Sequence, residues 1–482
     1  MGIPWPPPSA DDHTYGAGRR PNYAMRRALV LAVIVIFGAV GGWFVLGRSG
    51  DPESESGRDT PAWDAVALQR TDGSITVIDR DGEELAEATT DLVGVTDIGL
   101  TGKVLLGLGG DPAATGIGVL TLDDGSIDEI DVAFDQFRLL GRSSLLVSYD
   151  AAGTGLELID AAAARTIDLL DLADGDDPLV DALSVRVDDE ATHVAFTELR
   201  SAETVVVDVA ARTGVSLPGA LVELAFDRVL TSTNRGDTVL LDLSDVAGER
   251  VGTVETAPIV GAMLVGESTA VVVTTSGVVS LVDFADSSVD EVTRLATVLP
   301  LPPGTDVTTD PEIIDGAVVI AGRTRIALFG QRFVAFVDQA GALVRSVDVA
   351  KRMNVFLDPL SSDQCLSVGE AGGPYTLLDA RTGVIVTSFD DGSLVSNSDD
   401  GCIAAFRATG TTAADVVAGV ELDRRLDDRV LALSADGSAA IQTSASSVSW
   451  VDLGAAEAIE PVELLRIGGR DARVEAAAFA AR

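Results

Sequence analysis

The sequence predicts an all-β domain assembled from about eight to ten four-stranded units, and three observations carry that expectation. Ten times along the 482 residues a short apolar run ends in an aspartate followed by turn residues. The tags are ITVID at Asp79, VLTLD at Asp123, LELID at Asp160, VVVD at Asp208, VLLD at Asp242, VSLVD at Asp283, VAFVD at Asp338, YTLLD at Asp379, a degenerate TAAD at Asp415, and VSWVD at Asp452. Within a repeat the β-rich runs come in fours: VELAF, RVLTSTN, TVLLDL and RVGTV between residues 222 and 254, and QFRLLG, SLLVSYD, GLELID and TIDLLDL between residues 136 and 172. Eight Asp-Gly dipeptides, at Asp72, Asp81, Asp124, Asp174, Asp315, Asp391, Asp400 and Asp436, punctuate the same region.

Asp-Gly tolerates the positive φ angles of tight turns, so hairpins rather than helices are expected to join the runs. After residue 61 no segment sustains a 3.6-residue apolar period. Self-similarity at roughly forty residues marks the blade of a β-propeller, a unit that cannot bury its own faces and must stack on neighbours. Tag spacing runs from 34 residues (Asp208 to Asp242) to 55 (Asp283 to Asp338), which leaves the blade number between eight and ten. A pair of β-sandwiches is the alternative architecture. An aspartate that closes a strand accepts hydrogen bonds from its own turn, so the tag aspartates are expected to be structural rather than catalytic.

Ring closure is also expected. The first repeat, from Trp63, offers three runs, DAVALQR, SITVID and EELAEA, whereas a spare run, ARVEAAAFAA, follows the last repeat at residues 472–481. A C-terminal strand that completes the first blade would remove two open sheet edges.

Four segments are expected. Residues 1–27 form a polar tail with Pro4, Pro6, Pro7 and Pro8 and with Arg19, Arg20, Arg26 and Arg27. Residues 28–47, ALVLAVIVIFGAVGGWFVLG, carry no charge; a helix of that length spans about 30 Å, the thickness of a bilayer's hydrocarbon core. Residues 48–61 are rich in Ser, Gly, Pro and acidic groups and read as a flexible spacer. Residues 62–482 are the propeller. The arginines before the apolar stretch, Arg26 and Arg27 nearest, place the N-terminus in the cytoplasm and the propeller outside the plasma membrane. A cleaved signal, or a loose twin-arginine signal at Arg26-Arg27, is the competing reading of the same stretch. Gly38 and Gly42 form a GxxxG pair through which two helices can approach, a weak indication of dimerisation.

Histidine is confined to His13 and His193, and no G-x-S-x-G elbow occurs. A Ser-His-Asp site and a zinc site of His and Cys are therefore unsupported. Asp79-x-Asp81-Gly82 and the DGDD of residues 174–177 do not complete a calcium loop, so no metal is expected. His193 is expected to be a surface or satisfied histidine. The two cysteines, Cys365 and Cys402, each follow a turn at matching repeat positions. In an oxidising exterior they are expected to bridge adjacent blades, the alternative being two buried thiols. A formal net charge of −41 excludes nucleic acid and anionic headgroups as partners of the propeller while leaving basic partners and cations open.

LLDARTGVIVTSF (residues 377–389) and VVDVAARTGVSL (206–217) resemble the strand–D-x-x-T-G–strand units of bacterial quinoprotein-like and WD40/YVTN-like propellers. The resemblance implies the fold. The tryptophan that ends each quinoprotein repeat and the WD40 Gly-His pair are absent, so no cofactor is expected. The reading reached is a single-pass membrane protein, anchored in lipid through residues 28–47, that presents its propeller as a protein- or ligand-binding scaffold. An enzyme using channel carboxylates, a hydrolase or lyase, is the alternative.

Overall fold

The computed structural model describes residues 63–481 apart from 108–115, 135, 141–143, 151, 174–177, 189, 300–313, 321, 331–332, 349–355, 358–364, 370–374, 390–392, 399–401, 408–409, 412–413, 419–421, 454–460 and 468–472. The tail, apolar stretch and spacer, with Arg26, Arg27, Gly38 and Gly42, lie outside the described residues, as do the Asp-Gly turns at Asp174, Asp391 and Asp400. Among the described residues no helix is long and apolar enough to cross a membrane.

The described residues form ten four-stranded antiparallel sheets. Nine follow chain order, each built from four consecutive strands: residues 95–130, 136–168, 186–218, 220–256, 259–294, 316–348, 356–389, 393–426 and 429–466 make the second to tenth blades. The first blade is the exception. Its strands Ala65–Arg70, Ser74–Asp79 and Glu84–Thr89 are joined by Val474–Ala480 from the far end of the chain. That strand pairs antiparallel with Ala65–Arg70, Ala65 opposite Ala480 and Val66 opposite Phe479. The expected closing strand is thus present, and the blade number settles at ten among the described residues.

The packing shows a closed ring. Each of ten apolar clusters joins one blade to the next in order. Leu105, Ile117 and Leu146 lie between the second and third blades, and Val147, Val194 and Phe196 between the third and fourth. The same arrangement continues through all the remaining neighbours. The last two clusters both contain the closing strand: Ala476, Ala478 and Ala480 face the second blade, whereas Val474, Ala477 and Phe479 face the tenth. Successive side chains of a strand point to opposite sides, so one strand serves two interfaces. The first strands of the fourth to seventh blades pack on one another in order, as do those of the ninth and tenth, and Val474–Ala480 packs in the same way against the first strands of the tenth and second blades. These first strands are the inner strands of the ring.

Burial follows from this stacking. Third strands, covered on both faces, read as unbroken apolar runs; in Phe333–Asp338 every residue but the aspartate is buried. Outer strands face solvent, and Ser288–Arg294 is exposed at six of its seven positions. Neighbouring blades approach closely enough that Gly252 admits no side chain, since a Cβ there would lie 1.9 Å from the Phe284 carbonyl oxygen.

An aromatic lock marks the closing interface. Trp63 meets Trp450 of the tenth blade edge-on at 5.3 Å between ring centroids and Phe479 of the closing strand at 4.6 Å. The Arg80 guanidinium lies 5.2 Å from the centroids of both tryptophans, and the Trp450 indole N–H donates to the Arg80 carbonyl at 3.3 Å. Such aromatic pairs stabilise by about 0.5–1.5 kcal/mol beyond the area they bury.

Removing residues 470–482 should expose the apolar faces of both the first and tenth blades and abolish the cooperative melt of the whole domain. Thermal unfolding followed by circular dichroism checks this; a melting temperature equal to that of the full chain would show that the ring does not depend on the strand.

Candidate functional site

Most tag aspartates end third strands, where they fasten the turn that follows. Asp79 accepts from the backbone N–H of Asp81 (3.0 Å) and Glu83 (2.7 Å). Asp208 accepts from Ala210 and Ala211, Asp283 from Ala285 and Asp286, Asp338 from Ala340 and Ala342, and Asp379 from Arg381 and Thr382. Asp160 adds the Arg165 guanidinium to the Ala163 N–H. Asp123 follows the strand Ile117–Thr121, and Asp452 ends Ser447–Asp452.

Asp242 differs. The third strand of the fifth blade is lengthened to Thr238–Asp245, so Asp242 lies inside it. It accepts a hydrogen bond from the Thr253 hydroxyl and lies 3.4 Å from Arg250, while Asp245 takes the turn role by accepting from Glu249 N–H at 2.7 Å. Asp415, the degenerate tag, is the second residue of Ala414–Ala418 and likewise closes no strand. The longer hairpin carried the strand past the aspartate.

The described carboxylates of the tags are thus committed to turns and ladders, and the ring brings other charged groups together. Glu198, which ends the second strand of the fourth blade, accepts from the backbone N–H of Leu179 (2.8 Å), Arg200 (3.0 Å) and Ser201. Burial alone would raise its carboxyl, but these donors outweigh it and bring the pKa down to about 2. Glu198 thereby pins the segment that leads into the inner strand of its blade, where Leu199 N–H also donates to the Leu179 carbonyl at 2.7 Å.

His193 belongs to a cluster that sequence reasoning did not assemble. It opens the second strand of the fourth blade, and its Nδ1 lies 3.1 Å from Asp188 Oδ2 and 2.9 Å from the Thr192 hydroxyl. Thr192 donates to Asp188 through both its N–H (2.7 Å) and its hydroxyl (2.6 Å). Asp227 reaches the same place from the fifth blade, so that one ligand atom from each of Asp188, His193 and Asp227 lies within 4.8 Å of the others. The turn that delivers Asp227 holds two successive non-glycine residues, Phe226 and Asp227, at φ +53°. The Asp188–His193 spacing was visible in sequence; the contribution from the next blade was not. Hydrogen bonds within the cluster account for Asp188 and His193.

The inner strands carry a charge unlike that of the rest of the chain. Their ionisable residues are Arg138, Arg186 and Arg429 against Glu223 and Glu475, in a protein whose formal net charge is −41. Arg138 donates to the Val185 carbonyl at 2.6 Å, as does Arg186 at 3.0 Å. Burial first, and then the neighbouring Arg186 charge, lowers the Arg138 guanidinium to about 10. Glu223 pairs with Arg323 of the seventh blade, which also donates to the Leu224 carbonyl at 2.7 Å. Arg429 is half-buried, and burial followed by the charges of Arg473 and Arg407 lowers its pKa, against a smaller opposing effect of Glu475.

Cys365 opens the second strand of the eighth blade, Cys365–Gly369. Cys402 stands two residues before the start of the second strand of the ninth, Ala404–Arg407. The Cys402 sulfur lies 3.7 Å from the Leu378 carbonyl oxygen, and Leu378 pairs with Leu366, the residue after Cys365.

No family model matches this chain, and no curated protein matches it. Among solved structures it is similar to the eukaryotic initiation factor, at 8% identity over 76% of this chain and 96% of that one, with a TM-score of 0.46. It is also similar to BamB from Moraxella catarrhalis (13% identity, 64% of this chain, 93% of that one, TM-score 0.36). The β-propeller domain of Cps50 (Swd1) from Myceliophteria thermophila gives 14% identity over 54% of this chain and 93% of that one, with a TM-score of 0.31. These likenesses concern fold. The ten-sheet ring stands on its own strand pairing.

The Glu198 carboxyl titrates at about 2 in the folded chain against 4.5 ordinarily, so its contribution is complete above pH 4.5 and is lost as pH falls toward 2. Glu198→Gln should cost about 1–3 kcal/mol at neutral pH and flatten that acid limb. Urea melts of both proteins between pH 7 and 3 check it; parallel pH profiles would exclude the assignment.

Proposed function

We propose that this protein is a membrane-anchored, extracytoplasmic β-propeller that works as a binding scaffold. The observation that carries the reading is the closed ten-blade ring, which holds the loops at both ends of the inner strands on one rigid frame. Asp79, Asp208, Asp283, Asp338 and Asp379 are engaged in holding turns, which favours recognition over catalysis by them. A protein partner or a small ligand would meet the loops of one end of the ring. The anchor rests on the uncharged residues 28–47, and the orientation on Arg19, Arg20, Arg26 and Arg27 ahead of them. The spacer at 48–61 then holds the ring off the bilayer.

Proteinase K added to intact cells should cut within residues 48–61 and release the propeller as one resistant fragment. Cleavage seen only after lysis would overturn the orientation, and a mature N-terminus beginning after residue 47 would replace the anchor with a cleaved signal.

We also propose that Cys365 and Cys402 form the bridge between the eighth and ninth blades, as an oxidising exterior permits. Cys402 is disulfide-bonded, and the chain has two cysteines. The position of its sulfur beside the register neighbour of Cys365 supports the pairing. The cluster between these two blades is small, with Leu377, Ala404 and Phe406 at its centre, so the bridge would strengthen a thin interface. Reduction should lower stability by about 2–4 kcal/mol. Alkylation of both thiols in unreduced, denatured protein, read by mass spectrometry, would rule the bridge out.

A further inference from the structure

We infer that Arg407, Arg429 and Arg473 form a binding site for a small ligand bearing a multiply charged oxyanion, a phosphate or carboxylate, at one end of the inner strands. The three come from three consecutive blades. Arg407 is the last residue of the second strand of the ninth blade and pairs with Ser393, the first residue of the inner strand. Arg429 is the first residue of the inner strand of the tenth blade and pairs with Thr443, which ends the second strand there. Arg473 directly precedes the closing strand, whose first residue, Val474, pairs with Arg70 at the end of its own second strand. All three therefore occupy the same end of inner strands that pack directly on one another. The Arg473 carbonyl is fixed there by the Thr71 N–H and hydroxyl, each at 2.9 Å.

Charge bookkeeping gives the cluster its meaning. The chain has 75 acidic residues against 34 basic ones, so a carboxylate is readily available to any arginine. Arg165 takes one from Asp160, Arg228 from Glu267, Arg294 from Glu291 and Arg323 from Glu223, whereas Arg138 and Arg186 donate to the Val185 carbonyl instead. Among the described residues none of Arg407, Arg429 and Arg473 forms an ion pair within 4.0 Å. Their charges are nevertheless close enough to act on one another, since Arg407 and Arg473 both disfavour the charged form of Arg429. The nearby carboxylate, Glu475, is exposed and opposes this effect least. Holding like charges together at a half-buried position costs energy that a bound oxyanion returns. The planar guanidinium fork donates two parallel hydrogen bonds to phosphate or carboxylate oxygens, which an ammonium cannot match. The acidic body around the site repels an extended polyanion, so a compact ligand fits where nucleic acid does not.

The inference deepens the reading of the ring as a binding scaffold and rests on it, but not on membrane placement, so its test is separate from protease access. The full chain in detergent is titrated by calorimetry at low ionic strength with pyrophosphate and, in a second arm, with citrate. Saturable binding of one molecule of either probe per chain is expected, and the tighter arm identifies phosphate or carboxylate. Arg429→Ala and the exposed Arg473→Gln should each weaken it at least tenfold. Arg235→Ala, at the corresponding end of the fifth blade, should leave it unchanged. Should Arg429→Ala fail to fold, Arg473→Gln alone decides. The inference is overturned if neither probe binds saturably, or if the Arg473→Gln protein binds as the unaltered chain does.

Discussion

The pairing of Val474–Ala480 with Ala65–Arg70 is the constraint on which the rest of the molecule depends. A blade has two apolar faces and no means of covering either by itself. In an open array the two terminal blades would each leave one face in water. Here one strand supplies Ala476, Ala478 and Ala480 to one interface and Val474, Ala477 and Phe479 to the other. Losing it would open two interfaces at once, and each buried aliphatic or aromatic side chain exposed would forfeit about 1.5–3 kcal/mol. The cost of closing so long a loop grows only logarithmically with its length, so sequence distance is no obstacle. The tryptophan pair and Arg80 lie at this junction, where the chain's beginning and end must be held in one register.

Double-sided burial also explains the pattern by which the repeats were visible. A strand with one wet face alternates apolar and polar residues; a strand covered on both faces reads as a continuous apolar run. The third strands are of the second kind, and the aspartate stands where the run leaves the packed layer and needs a partner for its turn. The tag therefore counts blades because it marks a recurrent boundary between core and turn. It failed at Asp242 and Asp415 for a related reason. Strand ends are set by hairpin length, and a lengthened or slipped hairpin moves the boundary while the aspartate stays in place.

The fold was legible in sequence because it is local and repeated; the charged clusters were not, because they are neither. Arg407, Arg429 and Arg473 lie in different repeats, with no motif spacing, and only the ring brings their strands side by side. A faint signal existed: Arg186 and Arg429 both open inner strands, and Arg473 stands just before one. Aligning the repeats on their inner strands rather than on the aspartate tag would have exposed it. The Asp188–His193–Asp227 cluster has the same history, two of its members being five residues apart and the third delivered by the next blade.

Charge in this protein is divided by position. A net −41 works against compactness through self-repulsion, and that cost falls where the acidic groups are solvated and spread. Turn aspartates meet both conditions, since each sits at the surface of its own blade and is also stabilised by backbone N–H donors. Arg138 and Arg429 on the inner strands have the opposite situation, partly buried and with like charges for neighbours. Arg138 and Arg186 are held by the Val185 carbonyl, whereas Arg323 takes a carboxylate, and its pair with Glu223 joins the seventh blade to the fifth across the intervening sixth. Arg407, Arg429 and Arg473 form no ion pair among the described residues. An external oxyanion is the counter-charge we infer for them, and that end of the inner strands is the proposed binding end.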